Sequence, residues 1–422
     1  MATTVIIGAG ITGLSAAWAL RDDPDLLLIE KGSRLGGHAD TVTLRDVPVD
    51  MGFIVYNEPH YPNLTRLFEA CEVETVESDM SFALGGDFEY GGSLNGLLGG
   101  TNFFRPRAWG LASDILKFPR LARESLDSEL PIGRWVESVG LSTRFRDDYL
   151  MPMASAIWSS SGLVAEEIPA LTLLRFFDSH ALLDLRGRPT WRTVKNGSEC
   201  YVKAVSERIK GGISVGDPAV AVSRSNRKVT VELASGTRVD ADQVIFATHA
   251  DVTLRLLGTD ATEEERRVLE SFTYSDNEAV FHSDPRLMPR TRRVWSSWNV
   301  MRDKDAPNSP VCITYWMNRL QPWVKDPAFV TLNPLVPPDE VHVTRQYRHP
   351  VFGAQSVAAQ RQLASIQGAN QAWFGGAWAG YGFHEDGAEA GLRLGAAAGG
   401  DVPWLASVDS TRPTAQIVES RE

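Results

Sequence analysis

Cysteine is scarce in this 422-residue chain: only Cys71, Cys200 and Cys312 occur, with no CxxC pair. That argues against a disulfide framework, a structural zinc site or an iron–sulfur cluster, and it fits a reducing cytoplasm. Long apolar runs are missing too, and none approaches the ~18 residues that a membrane-spanning helix requires. Positive charge is in deficit: 42 Lys and Arg face 53 Asp and Glu, for a net charge of −11. Nucleic acid is therefore not an expected partner, and contact with anionic lipid would need a local basic patch. The first glycine motif begins at Gly8, which leaves no room for a cleaved leader. No Ser/His/Asp hydrolase motif, P-loop or HExxH stands out, and no metal site is expected. The length suggests two to three domain-sized units.

What is present starts with strand, turn, helix and strand. Thr3 to Ile7 is a short β-branched run suited to a strand buried on both faces. Leu14 to Leu20 is rich in Ala and Leu, which favour helix. Leu26 to Ile29 reads as a second buried strand ending at Glu30. Residues 100 to 190 read as mainly helical. Residues 213 to 247 read as strands, with Val244 to Ala247 another buried run. From 270 to 345, strand-like pieces such as Val311–Trp316 and Phe329–Leu332 are broken by proline-rich turns. Ala372-Trp373-Phe374 leads into a glycine-rich turn and an Ala-rich helix from about Gly387. The last ~12 residues are polar and read as loose.

Between the first strand and helix, Gly8-Ala9-Gly10-Ile11-Thr12-Gly13 matches G-x-G-x-x-G. Gly8 permits the tight turn, Gly10 lets backbone approach a pyrophosphate, and Gly13 lets helix pack on strand. The helix N-terminus at Ile11 and Thr12 offers N–H groups and partial positive charge to phosphates. Glu30, with Lys31 after it, ends the second strand, where a carboxylate accepts a ribose 2′-OH and repels a 2′-phosphate. Context makes the motif specific: a strand precedes it, a helix follows, and an acid comes about twenty residues on.

The fingerprint does not choose between FAD and NAD. Arg34-Leu35-Gly36-Gly37-His38 and then Val49-Asp50-Met51-Gly52 resemble the R-x-G-G-R and V-D-x-G pair of flavin amine oxidases, phytoene desaturases and protoporphyrinogen oxidases. Phe374 to Ala377 and Gly382 to Gly391 resemble the last flavin motif of that superfamily. The resemblance extends over nearly the whole chain and is closest to a bacterial group of FAD-binding, amine-oxidase-like proteins. It implies FAD held by Gly36, Gly37, His38, Gly52, Phe53, Ile54, Val220, Thr248, Gly376, Glu385, Asp386 and Gly387, besides the first fingerprint; no cysteine follows Cys312, which points to non-covalent FAD and leaves attachment through a histidine as the alternative. It also implies an α/β fold: a Rossmann-type FAD-binding domain from residues 1–80, 195–255 and 346–422, with an α+β substrate domain from 81–194 and 256–345.

Departures from the pattern shape the functional expectation. The cage tyrosine of amine oxidases is Phe383 here, and the final arginine of R-x-G-G-R is His38. After residue 256 the only lysines are Lys304 and Lys325, both in turn-like surroundings, where many relatives hold a flavin-side lysine. His384 and Tyr56 are the candidate catalytic side chains. Asn57, Trp158, Arg175, Tyr381 and Phe383 are candidate substrate contacts, Arg175 as a grip for a carboxylate. The stretch Phe103 to Arg123 interleaves five basic residues with Phe103, Phe104, Trp109 and Phe118 against one acid, Asp114. It reads either as a surface helix with one buried stripe or as an interfacial segment touching a membrane surface. The expected activity is FAD-dependent dehydrogenation or desaturation of a hydrophobic small-molecule or lipid substrate, such as a fatty acyl chain. Oxidation of a small amine or amino acid, and redox-neutral isomerisation, stand as alternatives.

Overall fold

The computed structural model describes residues 3–159, 165–184, 187–225, 227–302 and 311–418. Lys304 and Ser160 lie outside the described residues. Two large sheets organise the rest. The first has five strands, all parallel, in the spatial order Ala372–Phe374, Gln243–Phe246, Thr4–Ile7, Leu27–Glu30 and Gly212–Val215. Thr4–Ile7 lies in its middle, and all four of its residues are buried. Helices cover one face, and the three-stranded antiparallel sheet of residues 219–241 with the Ala250–Leu257 helix covers the other, so the strands are buried on both sides and read as unbroken apolar runs. The second sheet has seven strands, in the order 341–351, 273–282, 329–332, 312–316, 298–301, 82–85 and 90–91. It is mostly antiparallel, with one parallel pairing between Phe82–Gly85 and Trp298–Met301.

The first helix, Ile11–Ala19, is buried along its whole length. The last long helix, His384–Ala397, lies against it because it carries glycine every fourth residue. A Cβ at Gly391 would overlap the Thr12 carbonyl oxygen, and one at Gly387 would come within 2.6 Å of the Ile11 side chain. Removing those Cβ atoms lets two helices from opposite ends of the chain meet backbone to backbone.

Two local expectations are corrected. The last long helix starts at His384, three residues before Gly387, because Asp386 turns back to accept the Phe383 N–H at 2.9 Å. The tail is not loose as far as residue 418. Arg412, Thr414 and Ile417 are buried, and Thr414 and Ser410 both donate to the buried Glu389. The polar residues of the tail satisfy buried carboxylates on the last helix, a partnership that composition does not disclose.

Candidate cofactor and substrate site

Backbone sterics build the first wall of the site. Gly8 has φ +99°, and a Cβ at Gly13 would overlap the Gly8 carbonyl oxygen. A Cβ on Gly10, by contrast, would meet nothing within 4 Å. Gly8 and Gly13 are thus required by the turn itself, while Gly10 leaves room beside the helix N-terminus. No side chain caps that N-terminus, so its positive end is left for a ligand. The Gly36-Gly37 loop lies across it: Gly36 N–H donates to the Ala9 carbonyl at 2.8 Å, and Gly10 pairs with Gly36 as an isolated bridge. Glu30 accepts from Ala9 N–H (2.9 Å) and Gly32 N–H (2.8 Å), one per carboxylate oxygen. Each oxygen keeps a lone pair for a ribose hydroxyl. Thr248 packs its methyl near Gly8 and takes the Trp378 indole N–H on its carbonyl at 3.0 Å. Val220 is half-exposed beside a bulge in the Ala219–Ser225 strand, and Lys31 is exposed.

Arg34 holds the glycine loop from outside. It donates to the carbonyls of Ala39 (2.9 Å) and Gly37 (2.8 Å) and pairs with buried Asp40 at 3.0 Å. Asp40 also accepts from Tyr347 and Arg345, which ties the loop to the 341–351 strand. A Cβ on Gly52 would overlap the His38 carbonyl, so the V-D-x-G turn nests on the loop, and Phe53 N–H donates to that carbonyl at 2.9 Å. Asp50 itself is buried and accepts from Ser198, Thr41 and Gln321; burial pushes its carboxyl up to about 6 against these donors. Sequence reasoning missed Ser198 and Gln321 as partners of this turn. The two lie 148 and 271 residues away along the chain, and a short-range motif gives no signal for such pairs.

The loop, the turn and the last helix converge on histidines. His384 stacks on Phe53 at 3.8 Å, and its Nε2 lies 3.2 Å from the Tyr201 hydroxyl. The His38 ring is 4.9 Å from Tyr347, 5.4 Å from His349 and 6.4 Å from His249. His38 Nε2 is buried without a protein partner. Burial lowers all four imidazoles: His38 and His249 to about 4, His349 and His384 to about 3. Asn277 Nδ2 lies 3.0 Å from His349 Nδ1, which fixes that nitrogen as acceptor and places the proton on Nε2.

An aromatic cluster adjoins this group. Phe383 stacks on Phe176 at 4.9 Å, Tyr381 and Trp158 lie within 6 Å of Phe176, and the Trp158 indole donates to the Tyr381 carbonyl at 2.9 Å. The structure thus brings together Trp158, Tyr381 and Phe383, while His384, next in the chain, turns to Phe53 and Tyr201.

Other expected site residues fall elsewhere. The Tyr56 hydroxyl donates to Thr75, and its ring packs on Phe68 and Tyr61, so both are engaged within the protein. Asn57 is fully buried and caps the Glu58–His60 turn. Arg175 is at the surface, paired with Asp127 and the Leu126 carbonyl, so its guanidinium is already engaged. The Glu385 carboxylate accepts from Asn63 and Leu64 at the start of the Pro62–Ala70 helix, and Asp386 accepts from Arg412 at 2.8 Å. Both acids anchor the last helix rather than reach toward a ligand; burial pushes Glu385 up to about 7. Lys325 donates to the Pro322 carbonyl at the surface. Ile54 is part of the core that packs beneath the turn.

These residues fit a flavin dinucleotide. The open space at Gly10, the uncapped helix end beside it, the spare lone pairs of Glu30 and the unpartnered His38 Nε2 follow one path toward Phe53 and His384.

Comparison with known proteins agrees. No curated protein matches the chain. The solved structures similar to it include a CLA-producing fatty acid isomerase from P. acnes, at 13% identity and TM-score 0.70, covering 93% of this chain and 97% of that one. A candidate protoporphyrinogen oxidase from Exiguobacterium sp. matches at 15% identity and TM-score 0.69, covering 94% and 98%. Cyclohexylamine oxidase from Brevibacterium oxydans matches at 16% and 0.69, with the same coverage. The family model described as flavin containing amine oxidoreductase matches residues 11–390. The chain belongs to the flavin-containing amine oxidoreductase family and is a FAD-dependent oxidoreductase.

Proposed function

We propose that this enzyme dehydrogenates a hydrophobic substrate, with a fatty acyl chain as the best-fitting class. The observation that carries this reading is the apolar aromatic cluster at the start of the last helix, where Phe383 lies flat on Phe176. Phe383 lacks the hydroxyl of a cage tyrosine and has one ring face covered by Phe176, so it offers a charged amine less than an open tyrosine would. A hydrocarbon chain gains from burial against it.

Bound FAD supplies a hydride acceptor at N5. The protein's own groups bind and orient. We assign the Gly8–Gly13 turn and the Ile11–Ala19 helix end to the pyrophosphate, Glu30 to the ribose, and Gly36, Gly37, His38, Gly52 and Phe53 to the chain beyond it. His384 is the residue we place nearest the reaction. It is neutral at pH 7 and is braced by Phe53 and Tyr201. There its neutral ring can donate or accept a hydrogen bond at the substrate without carrying charge. Phe383, Tyr381 and Trp158 line the substrate and exclude water. As a working division we keep 1–80, 195–255 and 346–422 as the FAD-binding domain, and 81–194 and 256–345 as the substrate domain.

The test is anaerobic flavin bleaching in purified holoenzyme. One set of samples receives fatty acids and phospholipids, the other amines and amino acids. Bleaching by the lipid set alone supports the proposal. Bleaching by amines alone overturns it in favour of amine oxidation. A lipid product formed without net bleaching identifies a redox-neutral isomerase.

A further inference from the structure

We infer that the enzyme docks on anionic phospholipid bilayers through a patch built from two separate parts of the chain. The inference rests on the proposed hydrophobic substrate for its purpose, but its observations are independent of that reading.

The first part is the stretch from Leu94 to Arg123. Its helix, Pro106–Arg123, buries Ala108, Leu111, Ala112, Phe118 and Ala122. The opposite face carries Trp109, Leu116, Lys117, Arg120 and Arg123 to solvent. In the Gly100–Phe104 turn before it, Phe104 is 83% exposed and Phe103 52%. These rings are presented by design of the turn: the Trp109 indole donates to the Phe103 carbonyl at 2.8 Å, and Phe103 sits 5.4 Å from Phe104 and 5.5 Å from Trp109. Every exposed Phe and Trp among the described residues belongs to this patch.

The second part comes from residues 290–293. Glu89 accepts the backbone N–H groups of Arg290 (2.8 Å) and Thr291 (2.9 Å), and Arg293 donates to the Gly99 carbonyl at 2.7 Å. Three exposed arginines, Arg290, Arg292 and Arg293, are thereby set beside the aromatic turn. Arg105 and Arg144 add two more on the recess they share with Asp87, Phe88 and Arg107. Some cations nearby are already engaged, namely Arg107 with Asp148, Lys117 with Asp114, Arg120 with Glu124, Arg123 with Asp178 and Asp184, and Arg292 over the Trp295 ring.

Charge and shape choose the occupant. In a protein of net charge −11, a cluster of cations around exposed aromatic rings is a local reversal of sign. A soluble polyanion would use the cations and leave the rings wet. An anionic bilayer uses both, with rings at the acyl boundary and guanidinium groups at the phosphates. The patch also lies one helix away from the aromatic cluster. Phe118 on its inner face packs on Phe177 at 5.7 Å, and the adjacent Phe176 is the ring that stacks on Phe383.

The experiment is flotation of holoenzyme with vesicles of phosphatidylcholine alone, and of phosphatidylcholine mixed with phosphatidylglycerol. We expect flotation with the mixed vesicles only, weakened by salt. Arg290→Gln with Arg292→Gln should weaken partition by about fivefold per charge. Phe103→Ser with Phe104→Ser should abolish it at any salt. Both variants leave the proposed flavin site untouched, and an unchanged flavin spectrum checks the fold. Failure to float with anionic vesicles, or equal flotation of both variants, overturns the inference. So does light scattering that shows a dimer dissociated by the Phe variants without vesicle binding, since the patch would then join two copies. Flavin bleaching by detergent-dispersed fatty acids needs no bilayer, so the substrate reading stands or falls separately.

Discussion

His38, His249, His349 and His384 gather at one place although they come from four separate parts of the chain. Each is lowered mainly by burial, to about 3 or 4. Unfolded histidine titrates near 6.5. Between those values the unfolded chain binds protons that the folded protein refuses, so stability falls as pH drops below about 6.5. Discounting for the part of each ring that meets solvent, the melting temperature should fall by about 5 °C or more from pH 7 to pH 5. His38→Asn together with His349→Asn should flatten that slope; an unchanged slope would mean other groups carry it. A second residue-level prediction concerns Gly391. Its Cβ would overlap the Thr12 carbonyl, so Gly391→Ala should cost about 1–3 kcal/mol. It should also lower flavin content on purification, because the first helix end moves with it. Retention of full flavin with no loss in melting temperature would refute the close crossing. For His384→Phe, we expect kcat to fall by about 10²-fold, with FAD still bound, because the neutral imidazole's hydrogen bond at the reacting atoms is lost. Stopped-flow flavin reduction is the measurement.

At the scale of elements, the clearest device is the strap formed by the tail on the last helix. Arg412 reaches the buried Asp386 at 2.8 Å and the half-buried His60 carbonyl at 2.8 Å. Glu385 beside it caps the Pro62–Ala70 helix. Taking away the cation leaves a buried carboxylate unpaired, which costs about 3–5 kcal/mol. Arg412→Met should therefore lower the urea midpoint well beyond what an exposed arginine gives; Arg175→Met, at the surface, serves as the control and should change it by less than ~1 kcal/mol. Helices and strands themselves were largely legible. The β-branched runs at Thr4–Ile7 and Gln243–Phe246 are strands, and the Ala-rich segments are helices. The strap was not legible, because Arg412, Ser410 and Thr414 look like ordinary polar tail residues until their buried partners are known.

For the whole molecule, the proposed FAD path draws on residues near 8–13, 30–53, 220, 248 and 376–387, so the cofactor would add a further link between segments already joined by sheet pairing and hydrogen bonds. Ligand that binds only the folded state stabilises it by RT ln(1 + [L]/Kd), about 4 kcal/mol at a thousandfold excess over Kd. Stripping FAD should therefore lower the melting temperature, and adding it back should restore both the transition and the visible spectrum. A melting temperature indifferent to FAD would place the cofactor outside the core of the fold. What the sequence by itself determined is the dinucleotide turn, the two-sided strands and the family of flavin motifs. Those features are set by local sterics and short-range spacing: a glycine where a Cβ cannot fit, an acid at a strand end. Tertiary structure alone decided that Tyr56, Asn57 and Arg175 are engaged elsewhere, that Glu385 and Asp386 brace a helix, and that Arg290, Arg292 and Arg293 sit beside Phe103 and Phe104. Each of these depends on which buried group or neighbouring surface a side chain meets, and contacts between distant parts of the chain leave no periodic or spacing signal in the residues that make them.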